Sequence, residues 1–562
     1  MMRTGFFLAL LFVCCQAGLR AQQYAYRVSF TDKNTTTHTL TNPIAYLSQR
    51  AIDRRTADGI AIDSTDLPVP DAYVQGVLTA SSGILHTKSR WFNHIVILVS
   101  DQADIIPVQS LPYVSGTLQV GDFAVNLHNR EAPQPVSNPD KYSLPTEGLP
   151  LPATMARSTG SPAYYGNTWD QTDMVKGDYL HDQGFKGAGI LIAVLDDGYA
   201  AVPTHPGLDS LRSENRIWET HNFVLDTPYI YSIPSNHGTS VLGTMAANVP
   251  GTYVGAAPHA YYALYITENL TSEKPVEMEQ VLAATERADS IGADVISISG
   301  GYNTFDNPYP DLTSADLNGN STIAAQAASM ATAKGILFVA TAGNEGGGGL
   351  LTPGDADSAL TIGAVLPNGN AWNSSSHGPN GAGHVKPDVV TLGAPAAVLS
   401  STAYITGNGT SYSTPQIAGW AACLRQAKPN ATPRMIRAAI DSSAHVHTAP
   451  EVQRGFGIPN FQLAADMLSV PFVISRMSDW ASVAPNPTGN DINLFTNLSL
   501  SDDVACTITD VSGRVVTRLT AKADSGVRKT TISLPGNTAP GIYFLKVISG
   551  SREATIKIVK DK

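Results

Sequence analysis

Residues 189–195 form an unbroken apolar run that ends in two acids and a glycine at 196–198. A strand that is buried on both faces needs such a run, and the acids and glycine mark its end at the carboxyl edge of a parallel sheet. Two further apolar runs lie at 294–299 and 336–340, and they alternate with two helical patterns at 278–291 and 323–334. The alternation predicts an α/β domain with a doubly wound parallel sheet over residues 163–472.

The two ends of the chain have other patterns. Residues 1–21 contain a basic residue, an apolar stretch and a small-residue site, which predicts a signal peptide cleaved after Ala21. Alternating strands and two helical stretches predict a small α+β domain over 22–130, and the Pro-rich segment 131–162 is a linker. Short strands with Gly and Asp turns predict a β-sandwich over 483–562.

The net charge of −11 argues against nucleic acid as a partner, because no run of Lys and Arg offers a basic face to phosphates. We interpret the short basic clusters Arg54-Arg55 and 557–560 as solvated surface. Two of the four cysteines lie in the signal peptide, and Cys423 and Cys506 lie in different domains. They are therefore expected to be buried thiols and not a disulfide.

Three short segments supply an Asp, a His and a Ser in chain order: Val-Leu-Asp-Asp-Gly around Asp196, His-Gly-Thr-Ser-Val-Leu-Gly from His237, and Gly-Thr-Ser-Tyr-Ser-Thr-Pro around Ser411. A serine hydroxyl is a poor nucleophile unless an imidazole takes its proton and a carboxylate orients that imidazole. Glycines and small residues predict that His237 and Ser411 each begin a helix. The order Asp, His, Ser is that of subtilisin.

The chain resembles the subtilisin-like serine peptidases at these segments. The resemblance implies that Asp196, His237 and Ser411 form the catalytic triad and that Asn344, in Ala-Gly-Asn-Glu-Gly, donates to the oxyanion. It further implies that the segment Ser299, Gly300 and Gly301 pairs with the substrate backbone. The stretch that includes Ala342 and Gly343 would line an open apolar pocket for the side chain before the scissile bond.

Asp197 departs from the resemblance, because the family mostly has Ser or Thr at this position. A hydroxyl can donate to the catalytic carboxylate, and an ionised Asp197 cannot. We expect Asp196 to be the working acid and Asp197 to face outward.

The resemblance extends to both flanks. A small α+β domain ahead of a subtilisin-like domain implies an inhibitory propeptide, and an accessory domain is the alternative. The C-terminal pattern is similar to the sorting domain of the type IX secretion route, with a carbohydrate-binding or adhesion module as the alternative. These readings imply a secreted or cell-surface protein, exported through the periplasm of a Gram-negative bacterium, whose partners are peptide substrates, its own propeptide and the secretion machinery.

No histidine has the spacing of a zinc site, so no catalytic metal is expected. Residues 316–320 hint at calcium, but Ser321 and Ala327 stand where an EF-hand loop needs Gly and Glu. No cofactor is required for the chemistry, and structural calcium stays open with ligands unassigned. Two other functions compete with a secreted endopeptidase. An α/β-hydrolase esterase needs Gly-x-Ser-x-Gly and another residue order, and an adhesin on an inactive scaffold would not need all four positions filled.

Overall fold

The computed structural model describes residues 21–125, 162–469, 480–484, 488, 491–498, 502–523, 526–536 and 538–560. The predicted signal peptide lies outside these residues apart from Ala21, and the predicted linker lies outside them apart from Pro162. No helix within the described residues is long and apolar enough to cross a membrane.

The N-terminal unit is a four-stranded antiparallel sheet, in the order β2-β3-β1-β4, with helices packed on one face. Its core contains Val28, Val77 and Ile97, all fully buried. The α+β prediction for this part of the chain is therefore confirmed. The elements are β1 (Ala21–Phe30), α1 (Gln49–Ala57), α2 (Asp71–Ser81), β2 (Ile84–Ser89), β3 (His94–Val99), α3 (Ile106–Gln109) and β4 (Val114–Val125).

The central domain contains most of the chain and begins with short helices before its first strand. Its first half consists of α4 (Pro162–Tyr165), α5 (Trp169–Met174), α6 (Asp178–Asp182), β5 (Leu191–Asp196), α7 (Asp209–Ser213), β6 (Ile217–Asn222), α8 (His237–Ala246), β7 (Asn248–Val249), β8 (Tyr253–Val254), β9 (Tyr261–Ile266) and α9 (Val276–Ile291). Its second half consists of β10 (Val295–Ile298), α10 (Ile323–Ala333), β11 (Leu337–Thr341), β12 (Leu360–Val365), β13 (Val389–Leu392), β14 (Ala396–Leu399), β15 (Tyr404–Gly407), α11 (Thr410–Ala427), α12 (Pro433–Ser443) and α13 (Phe461–Leu468).

Seven of these strands form one parallel sheet in the order β13-β12-β11-β10-β5-β9-β6. Alternate residues of β5 enter different cores: Ile192 and Val194 pack with α8 and α11 on one side, and Leu191 and Ala193 pack with α9 and α10 on the other. Helices cover both faces, so the doubly wound sheet is confirmed. The ends of β5, β10 and β11 lie side by side at one edge.

The N-terminal unit binds α9 through buried charges. Arg54, Arg55 and Arg90 all reach the carboxylate of Asp289, at 2.7, 2.6 and 2.7 Å. The interpretation of Arg54-Arg55 as solvated surface is wrong, because both guanidinium groups are buried in this contact. A buried charge is tolerated only with partners, and here the partner comes from another domain.

The C-terminal unit is a sandwich of a three-stranded sheet, β16-β17-β20, and a four-stranded sheet, β19-β18-β21-β22. Leu494 and Ile532 of the first sheet share one core with Ile508 and Leu545 of the second. The strands are β16 (Ala481–Ala484), β17 (Asp491–Leu498), β18 (Asp502–Asp510), β19 (Val515–Ala523), β20 (Gly526–Ser533), β21 (Gly541–Ser549) and β22 (Arg552–Lys560). Cys423 and Cys506 are buried free thiols, as predicted.

Candidate active site

Asp196 and His237 form a buried pair at the carboxyl edge of the sheet. Asp196 is the last residue of β5 and His237 is the first of α8, as the sequence predicts. The His237 Nδ1 lies 2.7 Å from Asp196 Oδ1, which also accepts from the backbone amide of Asp197 at 2.9 Å. Gly238 permits this approach, because a Cβ there would lie 2.5 Å from the Gly198 carbonyl oxygen.

Ser411 is the second residue of α11, and Pro415 lies inside the same helix, beyond its first turn. Its hydroxyl donates to the Ser299 carbonyl at 3.2 Å, and the Ser299 hydroxyl donates back to the Ser411 carbonyl at 3.1 Å. These reciprocal bonds hold the start of α11 against the end of β10. Helices α8 and α11 pack against each other in one core, so His237 and Ser411 open onto the same cleft.

Asn344 follows β11 on a turn in which Gly343 has a φ of 108°, a value that favours glycine. Its side-chain oxygen accepts from the Thr410 backbone amide at 3.0 Å and from the Thr410 hydroxyl at 2.9 Å. The Thr410 hydroxyl also lies 2.6 Å from that of Thr341. The sequence analysis missed the orienting role of Thr410, although its place directly before Ser411 is a usable signal.

The cleft has a volume of about 530 Å³. Of the residues predicted for substrate binding, Ser299, Gly301 and Gly343 line it, and Gly300 and Ala342 are buried behind its wall. Its full lining is His237, Glu273, Ser299, Gly301, Asn303, Thr304, Thr341, Gly343, Asn344, Glu345, Leu351, Trp372, Ser374, Asn408, Ser411 and Tyr412.

The lining is mainly polar, which differs from the expected open apolar pocket. Two acidic residues, Glu273 and Glu345, are among those that line the cleft. The Ser376 hydroxyl donates to Glu345 at 2.8 Å and holds its carboxylate close to Gly343. Neither carboxylate was singled out from the sequence, because the folded loops alone bring them to the cleft.

Asp197 does not face outward as expected but is buried beside Asp196, with 1 % of its surface exposed. Ser235 donates a hydrogen bond to its Oδ1 at 2.8 Å. Burial and the adjacent Asp196 raise the pKa of Asp197 to about 8. The loop that carries Ser235 covers this carboxyl group, and nothing in the local sequence indicates that cover.

Burial by itself lowers the pKa of an imidazole, but His237 has acidic neighbours. The charge and hydrogen bond of Asp196, followed by the charges of Asp197 and Glu268, outweigh burial and raise the pKa of His237 to about 9. The site therefore favours a cationic imidazole, the species that arises when His237 accepts a proton.

Carboxylates beyond the Asp-His pair gather beside the cleft at Glu268, Glu273 and Glu277, with oxygens within 4.8 Å of one another. Glu277 accepts the backbone amides of Asn269 and Lys274, both at 2.9 Å. Protein donors thus occupy oxygens that a cation would need, and the group fits a calcium ion poorly. Structural calcium stays a prediction without assigned ligands.

Residues 187–458 match the Subtilase family, and the chain is 31 % identical over 275 residues to Subtilisin Savinase of Lederbergia lenta. That alignment covers 48 % of this chain and 88 % of the relative. The chain belongs to the subtilase family. Similar subtilases include Subtilisin DY of Bacillus licheniformis, 30 % identical over 52 % of this chain and 96 % of the relative. An Alkaline protease of Alkalihalobacillus alcalophilus is 31 % identical over 48 % of this chain, and the alignment spans 63 % of its length.

The flanks of this subtilase match two further families. Residues 25–138 match the Peptidase S8 propeptide domain of Bacteroidota, and residues 482–561 match the Secretion system C-terminal sorting domain. The predictions of a propeptide and of a sorting domain are confirmed by these matches. Together they indicate an exported protein, secreted or held at the cell surface.

Proposed function

We propose that this subtilase is an exported serine endopeptidase in which Ser411 is the nucleophile, His237 the general base and Asp196 the residue that orients the base. The observation that carries the proposal is the buried 2.7 Å contact between His237 and Asp196, opening onto the cleft that Ser411 lines. With Nδ1 bound to Asp196, Nε2 is the ring nitrogen that can take the serine proton once the Ser411 hydroxyl turns from the Ser299 carbonyl.

The reaction follows from these positions. The Ser411 oxygen attacks the scissile carbonyl carbon while its proton passes to His237, and His237 then gives that proton to the leaving amine. Water then attacks the carbonyl carbon of the acyl-enzyme while its proton passes to the same imidazole, and His237 gives that proton to the Ser411 oxygen as the acid product leaves. The side-chain amide of Asn344 and the amides at the start of α11 donate to the negative oxygen of each tetrahedral intermediate.

The cleft suggests which peptides fit. The segment Ser299 to Gly301, directly after β10, offers backbone to an extended substrate, which would pair with it as an added strand. Two acidic residues, Glu273 and Glu345, line the cleft, so we propose that peptides with basic side chains bind better than acidic ones. The N-terminal unit would act as the inhibitor until it is cleaved off, and the C-terminal sandwich as the export signal.

A fluorophosphonate probe tests the nucleophile directly. We expect labelling of the exported protein at Ser411, and neither labelling nor peptide hydrolysis in Ser411→Ala. Ser413→Ala is the matched control, because Ser413 lies in the same turn but its hydroxyl is buried and donates to the Thr410 carbonyl at 3.0 Å. Hydrolysis that persists in Ser411→Ala would overturn the assignment. Labelling at Ser411 with ester but no peptide turnover would favour an esterase, and no labelling would favour an inactive scaffold.

A further inference from the structure

The carboxylate of Asp196 is bound on one side only. Its Oδ1 accepts both His237 Nδ1 and the Asp197 amide, whereas its Oδ2 is buried and has no hydrogen-bond donor among the described residues. A buried carboxylate oxygen without a donor is costly, and here it belongs to the group that orients the base.

The neighbouring carboxyl group supplies what is missing. An oxygen of Asp196, an oxygen of Asp197 and a His237 ring nitrogen all lie within 4.8 Å of one another. Ser235 donates to Oδ1 of Asp197, which leaves Oδ2 of Asp197 as the oxygen that can hold a proton. Two carboxylates that are buried this close together do not both ionise at neutral pH, so one proton is shared between them.

We propose that Asp197 is a positioning residue that holds this proton and donates it in a hydrogen bond to Oδ2 of Asp196, doing the work of the hydroxyl that most subtilases carry at this place. The inference rests on the proposed function of the Asp196 and His237 pair and adds a part to it. The acid form keeps the net charge beside His237 at one carboxylate while fixing the orientation of that carboxylate.

The groups around Asp197 agree with this assignment. His237 on α8 is the cation beside the two acids, and the negative charge of Glu268, after β9, also stabilises the protonated imidazole. Tyr199 and Tyr412 face the acids from the β5 loop and from α11, and burial raises the pKa of both phenols, so they stay neutral. Burial and Asp196 likewise raise the pKa of Asp197, so that its acid form persists at neutral pH.

The role predicts a rescue pattern in kinetics. Asp197→Ala removes the donor, and we expect kcat at pH 7 to fall about tenfold with little change in KM, since a hydrogen bond to a charged group is lost. Asp197→Ser and Asp197→Asn each restore a donor and should recover most of that loss. Asp197→Asn cannot ionise, so its kcat/KM should rise with pH in one step at lower pH than in the wild type. Equal kcat values and pH profiles in all three variants would overturn the proposal.

Infrared spectroscopy can detect the proton on Asp197 independently of enzyme activity. The full-length Ser411→Ala protein should show carbonyl absorption from buried carboxylic acids at pH 6, to which Asp441 also contributes because burial raises its pKa to about 7. The Asp197 component of this absorption should be lost when Asp197→Asn is added. Asp209→Asn, which changes a carboxylate on the surface, is the control and should leave the absorption in place. Carbonyl absorption that is the same with and without Asp197→Asn refutes the acid form of Asp197. Loss of absorption on Asp197→Asn, together with no peptide hydrolysis by the protein that keeps Ser411, would leave Asp197 protonated and refute the proposed function alone.

Discussion

Asn344 accepts two hydrogen bonds from Thr410 through its side-chain oxygen, one from the backbone amide at 3.0 Å and one from the hydroxyl at 2.9 Å. The amide nitrogen of Asn344 is thereby turned away from Thr410. The residue that binds Asn344 directly precedes Ser411, so the proposed oxyanion donor and the proposed nucleophile share one anchor.

Asn344→Ala should lower kcat on the order of 100 to 1000-fold with a small effect on KM, because the donor acts on charge that develops only in the transition state. Thr410→Val keeps the shape of the residue and one of the two bonds to Asn344, and its loss of kcat should be smaller. Steady-state kinetics on a chromogenic peptide measure both. Asn368→Ala, in an exposed turn, is the control. A change confined to KM would contradict the role in the oxyanion hole.

Activity should rise with pH. His237 must be neutral to accept the serine proton, and its pKa is raised to about 9, so the neutral fraction increases as pH passes through that value. We expect kcat/KM to be larger at pH 9 than at pH 7. Asp196→Asn removes the largest cause of the raised His237 pKa. Its kcat/KM should be lower on the order of 10⁴-fold, and the increase of kcat/KM with pH should occur at a lower pH than in the wild type. A rate that peaks near pH 4 would instead indicate catalysis by carboxylates.

Glu345 should contribute to substrate choice. Glu345→Gln removes a negative charge from the lining of the cleft. We compare two peptides that differ only in having Lys or Leu before the scissile bond, and the ratio of their kcat/KM values, Lys over Leu, should fall up to about fivefold in the variant. Added salt should reduce the wild-type preference and should have a smaller effect on the preference of Glu345→Gln, which keeps Glu273. Glu451→Gln, at an exposed pair with Arg454, serves as the control. An unchanged Lys to Leu ratio in Glu345→Gln would place substrate side chains elsewhere.

Asp289 should hold the N-terminal unit on the enzyme. Asp289→Asn leaves the three buried arginines without their shared carboxylate, which costs about 3 to 5 kcal/mol for a broken buried pair. In the full-length Ser411→Ala protein, the N-terminal unit should therefore become sensitive to an added protease at lower urea concentration. Asp209→Asn breaks an exposed pair with Arg212 and should change the free energy of unfolding of the N-terminal unit by less than about 1 kcal/mol. Similar midpoints for the two variants would show that apolar packing holds the unit.

Local patterns were enough to predict the position of the proposed catalytic groups. The apolar run of β5 fixes where Asp196 stands, and the small residues after His237 and around Ser411 fix where α8 and α11 begin. Each of these features depends on neighbours within one turn or one strand. The doubly wound sheet followed from the same short-range signals, because apolar runs and helical periods alternate along the chain.

Burial of charge could not be predicted in this way. Asp197 is buried by a contact with Ser235, 38 residues along the chain, and Arg55 by a contact with Asp289, 234 residues along. In sequence, an acid after a strand and a pair of arginines are typical of surface. Their surroundings depend on loops and on a second domain that no local period describes. The mainly polar cleft has the same origin, since Glu273 and Glu345 come from loops after different strands.

The proposed base and nucleophile stand on the first turns of α8 and α11, whose side chains pack in a common core, whereas the walls of the cleft come largely from loops after β9, β10, β11 and β12. Helix packing therefore sets the positions of the base and the nucleophile, and substitutions in the walls outside Asn344 and its anchor Thr410 leave these positions intact. Descendants of this chain can acquire new peptide preferences by changing loop residues while the rate of bond cleavage is preserved. Substrate preference can therefore change quickly in evolution through loop substitutions, and the base and the nucleophile keep their positions.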